Sequence, residues 1–416
     1  MAKRILIISP NPENYAPGQR LKYEQYFESW RANGWNIDVE PFFSDAFQQI
    51  VYKDGNILKK IYYTLTAYYR RIALLPRVSK YDVVYIFLWV TPFGAPVFEW
   101  LYAKAAKRLI FDIDDLVFLK NNPHEKKYLS WIKGKGKPIF LMKHAHYVIT
   151  CTPYLDKFVR QYNSKTTDIS STVDTEKRYY VINDYSNDDK IILGWSGSHS
   201  TSKYLYLLQN VLLRLKEQVD FKLLVMGDDS FNIKGLDIES IKWSEEKEIP
   251  QLQRMDIGLY PLPLNEEWVL GKSGLKAIQY CALGIPTIVT DVGCNDRVIL
   301  NHETGYLVKT EEEWLQKLLL LIQDNQLRKK IGTAARTFIS DNYSIHANEE
   351  TYLKILNEVY KSRGKTYIYF PSQYPRRISP AQRYRMEQFE DRLAEENILV
   401  HAFPFISEKM YPIFLS

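Results

Sequence analysis

One pattern governs most of the chain: a short apolar run, a loop carrying Gly, Pro or Ser, then a helix-length amphipathic segment. Parallel strands covered on both faces read as continuous apolar runs, and strands alternating with helices build βαβ units. Arg4-Ile-Leu-Ile-Ile-Ser9 opens the pattern, and a helical stretch over Leu21–Ala32 closes at Asn33-Gly34. Trp35–Val39, Tyr81–Val90, Arg108–Phe111 and Tyr147–Thr150 read as further strands, with a helix over 95–106 among them. The alternation stops in the polar stretch Asn183–Asp189 and starts afresh at Ile191-Ile-Leu-Gly194. A Gly/Ser loop over Trp195–Ser200, a helix over Lys203–Gln218, and strands at Phe221–Met226 and Met255–Tyr260 follow. A helix over Leu275–Leu283, strands Pro286–Thr290 and Gly305–Val308, and helices near 311–323 and 345–361 complete the second unit. The expectation is an α/β chain of two Rossmann-like, doubly wound domains, 1–185 and 186–345, whose ligands lie in the central cleft outside the carboxyl ends of the strands.

Composition narrows the function classes. With 46% hydrophobic and 25% charged residues among 416, the chain has an ordinary soluble core and is not a disordered protein. A net charge of +6 is too mild for an all-over nucleic-acid binder, so no nucleic-acid partner is expected. Cys151, Cys281 and Cys294 are too scattered for a disulfide framework or a zinc site, and a reduced, cytoplasmic chain is the simplest reading. His144 and His146 have no Cys or carboxylate at ligand spacing, so no metal site is expected. Ile5–Ile8 is too short for the core of a signal peptide, and Pro92, Gly94 and Pro96 divide the apolar stretch Val83–Ala103 into strand and helix rather than a span.

The positive excess has an address. Residues 51–80 hold seven Lys/Arg against Asp54 alone. On a helical wheel Ile57, Leu58, Ile61, Tyr62, Leu65, Tyr68, Tyr69, Ile72 and Leu75 share one arc, with Lys59, Lys60, Arg70 and Arg71 opposite. Such a helix either lies at a membrane interface or packs its apolar face on the sheet and turns a basic back to water.

The chain also repeats itself. At an offset of 363, Pro17, Gln19, Arg20, Glu24, Gln25, Pro41, Phe42 and Ser44 recur as Pro380, Gln382, Arg383, Glu387, Gln388, Pro404, Phe405 and Ser407. Ile5–Ser9 has a counterpart near Tyr367–Phe370 if a two-residue shift is allowed. Residues 364–416 therefore read as a truncated repeat of the N-terminal region.

The chemistry concentrates between residues 255 and 305. Asp256-Ile-Gly-Leu-Tyr-Pro261 is a strand entering a loop, and Gly271-Lys-Ser-Gly-Leu-Lys276 opens a helix running through Gln279 to Gly284-Ile-Pro286. Unpaired N–H groups at a helix start, with Lys272 and Lys276 one turn apart, suit a diphosphate. These motifs, with Thr172-Val-Asp174, Gly194-Trp-Ser-Gly197-Ser198, Asp291-Val-Gly293-Cys-Asn295 and Thr304-Gly-Tyr-Leu-Val308, resemble the family 4 (group 1) glycosyltransferases over residues 4 to about 360.

The resemblance implies the GT-B fold, a nucleotide-sugar co-substrate in place of a bound cofactor, and retaining, metal-independent transfer of a hexosyl-type sugar. It also implies a glycan or lipid-linked acceptor in bacterial cell-surface polysaccharide synthesis, and a helix over 346–363 that crosses back to the first domain. Donor binding would then fall to Gly197, Ser198, Lys203, Lys272, Ser273, Gly274, Lys276, Gln279, Gly293 and Asn295. Two family glutamates, which meet the donor sugar and the ribose, are replaced here by Gly271 and Gln279. Phe111-Asp112-Ile-Asp114-Asp115 ends a first-domain strand, so Asp114 and Asp115 are the expected catalytic pair, since adjacent carboxylates raise one pKa and so aid proton handling. Gly18, Arg20 and Asp112 are expected on the acceptor side. Two alternatives stand beside this reading: a metal-dependent transferase using Asp112 and Asp114, and a non-catalytic sugar-nucleotide or glycan-binding protein.

Overall fold

The computed structural model describes residues 2–51, 53–117, 134–180, 190–362, 364, 366–375, 377–395 and 398–405. The apolar runs of the first unit become β1 (Lys3–Ser9), β2 (Trp35–Pro41), β3 (Val83–Phe87), β4 (Leu109–Asp112), β5 (Tyr147–Thr150) and β6 (Thr166–Asp168). They form one parallel sheet in the order β2-β1-β3-β4-β5-β6. Every residue of β3 is buried, as a strand covered on both faces requires. The second unit repeats the plan with β7 (Ile191–Ser196), β8 (Phe221–Met226), β9 (Ile238–Ile241), β10 (Ile257–Tyr260), β11 (Thr287–Thr290) and β12 (Gly305–Val308). Its order is β12-β11-β10-β7-β8-β9, again parallel. In each sheet the strand order reverses beside the first strand, which opens a crevice at the carboxyl edge. The expected boundary at 185/186 lies outside the described residues.

The Ile345–Lys361 helix leaves the second unit and buries Tyr352, Ile355, Leu356 and Val359 in the first unit's core, beside Ile5, Trp30 and Val83. Tyr352 Oη donates to the Lys22 carbonyl at 3.0 Å. Three local differences from the sequence expectation have physical causes. The helix expected over Leu21–Ala32 breaks into Pro17–Arg20, a 3-10 turn at Glu24–Tyr26, and Phe27–Ala32. The break lets Lys22 turn inward to the carbonyls of Thr150 and Ile169, at 3.0 and 3.3 Å. The stretch expected as one helix over Lys203–Gln218 begins as a 3-10 segment, Lys203–Leu208, before the Gln209–Lys216 helix. A 19-residue helix, Asn325–Tyr343, was not anticipated; Asp324 caps it by accepting from the Leu327 N–H at 2.8 Å.

Residues 366–404 form a separate small unit, with β13 (Thr366–Ser372) and β14 (Ile398–Pro404) paired in parallel. Its pairing of Thr366 with Ile398 answers that of Lys3 with Trp35 at the same offset. Gln382 Nε2 donates to Glu387 Oε1 at 2.7 Å, as Gln19 does to Glu24 at 2.5 Å. Glu387 Oε2 accepts from the Arg377 N–H at 2.9 Å, as Glu24 does from Asn14 at 2.8 Å, and Arg377 and Asn14 share a positive φ of 64° and 63°. No shift is needed for the first strand: Ile5 answers Ile368 and Ser9 answers Ser372. Ser407, the last match in the sequence, lies outside the described residues. Among the described residues no helix is long and apolar enough to cross a membrane.

Candidate functional site

The two units meet along their carboxyl edges, where small polar side chains make several of the contacts. Thr152 Oγ1 donates to the Leu270 carbonyl at 3.3 Å, Ser170 Oγ to the Ser273 carbonyl at 3.1 Å, and Ser171 Oγ lies 3.0 Å from Ser273 Oγ. A cavity of about 340 Å3 opens between them, with Gly18, Asp114 and Asp115 on the first-unit side and Lys272, Ser273 and Lys276 on the second. Trp195, Tyr204, Tyr260 and Trp268 give it aromatic walls. A second cavity of about 420 Å3 adjoins it, bounded by Gly197, Ser198, Trp243, Glu248, Lys276 and Gln279.

Lys276 faces both cavities. It sits in the first turn of the Leu275–Ala282 helix, its Nζ 5.3 Å from the Trp195 ring centroid and 5.2 Å from that of Tyr260. Among the described residues it has no ion-pair partner. Burial, then Lys272, pushes its pKa down to about 8. Gly197 makes room for this side chain: a Cβ there would lie 2.8 Å from Lys276 Cε and 2.6 Å from the Trp195 ring. A cation at a helix N-terminus favours an anion, and here Asp115 is the carboxylate that acts on it across the same cavity.

Lys272 is arranged differently. Its Nζ lies 2.7 Å from Asp115 Oδ2 across the cleft. Burial alone would lower its pKa, but Asp115 outweighs that and raises it. Asp115 in turn is pushed up by burial and by Asp114 beside it. Its φ is +60°, a conformation non-glycine residues avoid unless their surroundings impose it. Asp114 Oδ1 is buried and has no hydrogen-bond partner among the described residues, and Oδ2 lies 3.5 Å from where a Cβ on Gly18 would be. Buried carboxylate oxygens are normally bonded, so this one is open to a ligand donor.

At Gly271 a Cβ would fall 2.6 Å from Leu116 Cγ and 2.9 Å from the Leu116 nitrogen. The first-unit loop thus occupies the space an acidic side chain would need, and Asp115 brings a carboxylate from the opposite wall. Gln279 Nε2 donates to Tyr179 Oη at 2.7 Å and to Glu248 Oε1 at 3.2 Å. A carboxylate therefore stands beside Gln279, although it comes from another helix, Glu245–Leu252.

Several residues singled out in the sequence lie elsewhere. Asp112 is wholly buried, held by Lys22 at 3.0 Å and by the Tyr85 hydroxyl, so it meets neither cavity and makes no pair with Asp114. Arg20 is 5% exposed and clamps Glu245 at 2.7 Å and Glu248 at 3.0 Å, joining the units rather than facing an acceptor. Lys203 is exposed over Tyr204, because the 3-10 turn directs Leu205 and Leu208 inward instead. Asn295 is buried, donating to the Thr290 carbonyl at 2.8 Å, and Gly293 approaches the Val269 carbonyl; both hold the 269–274 segment from behind. Gly274, with a φ of +75°, lines the first cavity at the helix start. The aromatic walls and the Glu248 cluster were not foreseen; Trp195, two residues before Gly197 in the sequence, was the one available signal. Among the described residues no group of three or more His, Cys, Asp or Glu is placed to hold a metal ion.

Two facing parallel α/β sheets with this cleft define the GT-B fold, the class to which the architecture belongs. Residues 183–338 match the family model described as glycosyl transferases group 1. The chain is 28% identical over 113 residues to trehalose synthase of Pyrococcus horikoshii, which covers 27% of this chain. Its matches span between 26% and 32% of the length of such curated relatives. Among solved structures it resembles sucrose-phosphate synthase from Thermosynechococcus elongatus, with a TM-score of 0.63 and 14% identity over 86% of this chain and 99% of that one. Anabaena HepE in complex with UDP and glucose gives a TM-score of 0.61 at 13% identity, over 86% of this chain and 100% of the other.

Proposed function

We propose that the chain is a retaining glycosyltransferase that moves a sugar from a nucleotide-sugar donor to a glycan or lipid-linked acceptor in bacterial cell-surface polysaccharide synthesis. The observation that carries this reading is the buried ammonium of Lys276 at a helix start, without an ion-pair partner among the described residues, in a cavity also lined by Asp114. The donor diphosphate lies against Lys276, Lys272 and the free N–H groups of the Leu275–Ala282 helix, with Gly197 and Ser198 bordering it and the ribose toward Gln279 and Glu248. Transfer breaks the bond from the anomeric carbon to the diphosphate and forms one to the acceptor oxygen on the same face. The acceptor's proton passes to Asp114, and the two lysines stabilise the departing negative charge. The aromatic walls suit a sugar ring, and the closed cleft limits hydrolysis. No metal takes part in this reading, and the enzyme works at the cytoplasmic face of a membrane.

Similarity to a protein solved with UDP and glucose supports UDP-sugars as the first donors to test. A thermal-shift screen of UDP- and GDP-sugars checks the reading, since a ligand at a hundred times its Kd adds about 2.7 kcal/mol. The configuration of the product's new linkage, read by NMR, tests retention, and activity after chelation tests independence of metal. A chain that binds no nucleotide would sink the proposal. Binding without transfer would favour a sugar-nucleotide-binding module, which Gly271 and Gln279 also fit because neither supplies a carboxylate.

A further inference from the structure

The Ile57–Val78 helix is mounted with its apolar stripe facing water. Its buried positions are Ala67, Arg71, Leu74 and Val78, on the opposite side. Leu58 is 83% exposed, Tyr69 69% and Leu65 64%, with Ile61 and Ile72 exposed between them. Arg71 is what fixes this orientation. Its guanidinium donates to the carbonyls of Val90 at 3.0 Å, Glu40 at 2.9 Å and Ser9 at 3.2 Å. Those carbonyls mark the carboxyl ends of β1 and β2 and the segment after β3. The helix turns that precede Arg71, about 20 Å of them at 1.5 Å per residue, therefore reach past the sheet on the edge that holds Gly18 and Asp114.

The exposed stripe continues onto the neighbouring Val97–Ala105 helix through Val97 and Trp100, with Lys104 Nζ 4.2 Å from the Trp100 ring centroid. An apolar surface of this extent marks an interaction site. The rim is cationic: Lys53, Lys59, Arg77 and Lys80 are exposed, and Asp54 is the sole acid in 51–80.

We propose that this face docks on an anionic lipid bilayer, with Leu58, Ile61, Leu65, Tyr69 and Ile72 entering the headgroup boundary and the lysines meeting lipid phosphates. A second copy of the chain is the poorer occupant, because a two-fold contact through this stripe brings two cationic rims together. The proposal rests on the reading above for its purpose, bringing the cleft mouth to a lipid-linked acceptor, but its test needs no transfer activity.

The full chain is floated with vesicles of phosphatidylcholine containing one third phosphatidylglycerol, and with phosphatidylcholine alone. It is expected to float with the mixed vesicles and about tenfold less with the neutral ones, and to be released by high salt. Leu58→Glu combined with Leu65→Glu is expected to lower flotation about tenfold with an unchanged melting temperature, since both side chains are exposed. Lys53→Glu combined with Lys59→Glu is expected to lower binding to the mixed vesicles alone. Wild-type protein left in solution with mixed vesicles overturns the proposal, as does equal flotation of the Leu58/Leu65 variant. So does a dimer in sedimentation velocity that the same variant turns to monomer, which would make the face a contact between copies.

Discussion

Burial and the neighbouring Lys272 ammonium outweigh Asp115 and bring the pKa of Lys276 down to about 8. If a diphosphate binds there, calorimetry with UDP is expected to show affinity falling as pH rises through that value. Lys276→Arg, charged throughout, is expected to flatten the profile, and equal slopes in both proteins would remove Lys276 from the diphosphate site. Gly271 is a residue of another kind, defined by what it lacks. A methyl group there would strike Leu116, its backbone nitrogen included, at 2.9 Å or less. Gly271→Ala is expected to cost about 1–3 kcal/mol in urea unfolding and to weaken the Asp115–Lys272 pair across the cleft. The sequence marked position 271 as a missing acid. The structure adds that no acid would fit, because that requirement sits on a residue 155 positions earlier in the chain.

At the scale of elements, the strands were readable because burial on both faces leaves an unbroken apolar run, and Tyr147–Thr150 and Phe221–Met226 fall where the pattern puts them. The short edge strands β6 and β9 escaped because they are partly exposed and largely polar, which removes that signal. Helix orientation is a different matter. The wheel of residues 57–75 separates apolar from basic side chains but cannot say which face meets the sheet. Burying Arg71 against three carbonyls decides it, against the simple hydrophobic order. Arg71→Met is expected to leave those acceptors short of donors and to lower stability by about 3 kcal/mol in chemical denaturation. A loss below one third of that would mean the helix is oriented by Leu74 and Val78 instead.

Over the whole molecule, the two units are held together by a buried cluster of charge. Arg20 from the first unit and Arg178 from the segment joining the two both grip Glu245 and Glu248. Without Glu248 the two guanidiniums keep only the half-exposed Glu245, so Glu248→Ala is expected to cost roughly 1.5–3 kcal/mol in chemical denaturation. The accompanying opening of the cleft is expected as a larger radius of gyration in small-angle scattering. Burial opposes ionisation of Glu245, but Arg178 and Arg20 prevail and hold its pKa below the usual carboxylate value. A carboxylate depressed in this way stabilises the folded chain above its unfolded pKa, and that stability is lost as pH falls through the folded one. The clamp is therefore expected to loosen in acid, and scattering measured down the pH range checks the direction. Gln279 touches Glu248 as well, so the cavity beside Gln279 and the clamp share one carboxylate.

Sequence alone determined the doubly wound plan of both units and the lysine-bearing helix start, because each depends on neighbours within a few residues. Tertiary structure decided which charged residues face the cleft. Asp112 and Arg20 carry the same chemistry as Asp114 and Lys272, yet Lys22 neutralises the first inside the core and Glu245 and Glu248 hold the second at the seam. A charge can meet a ligand only when packing leaves it lining a cavity rather than enclosed in the core or the seam, and that packing acts over distances the sequence does not record.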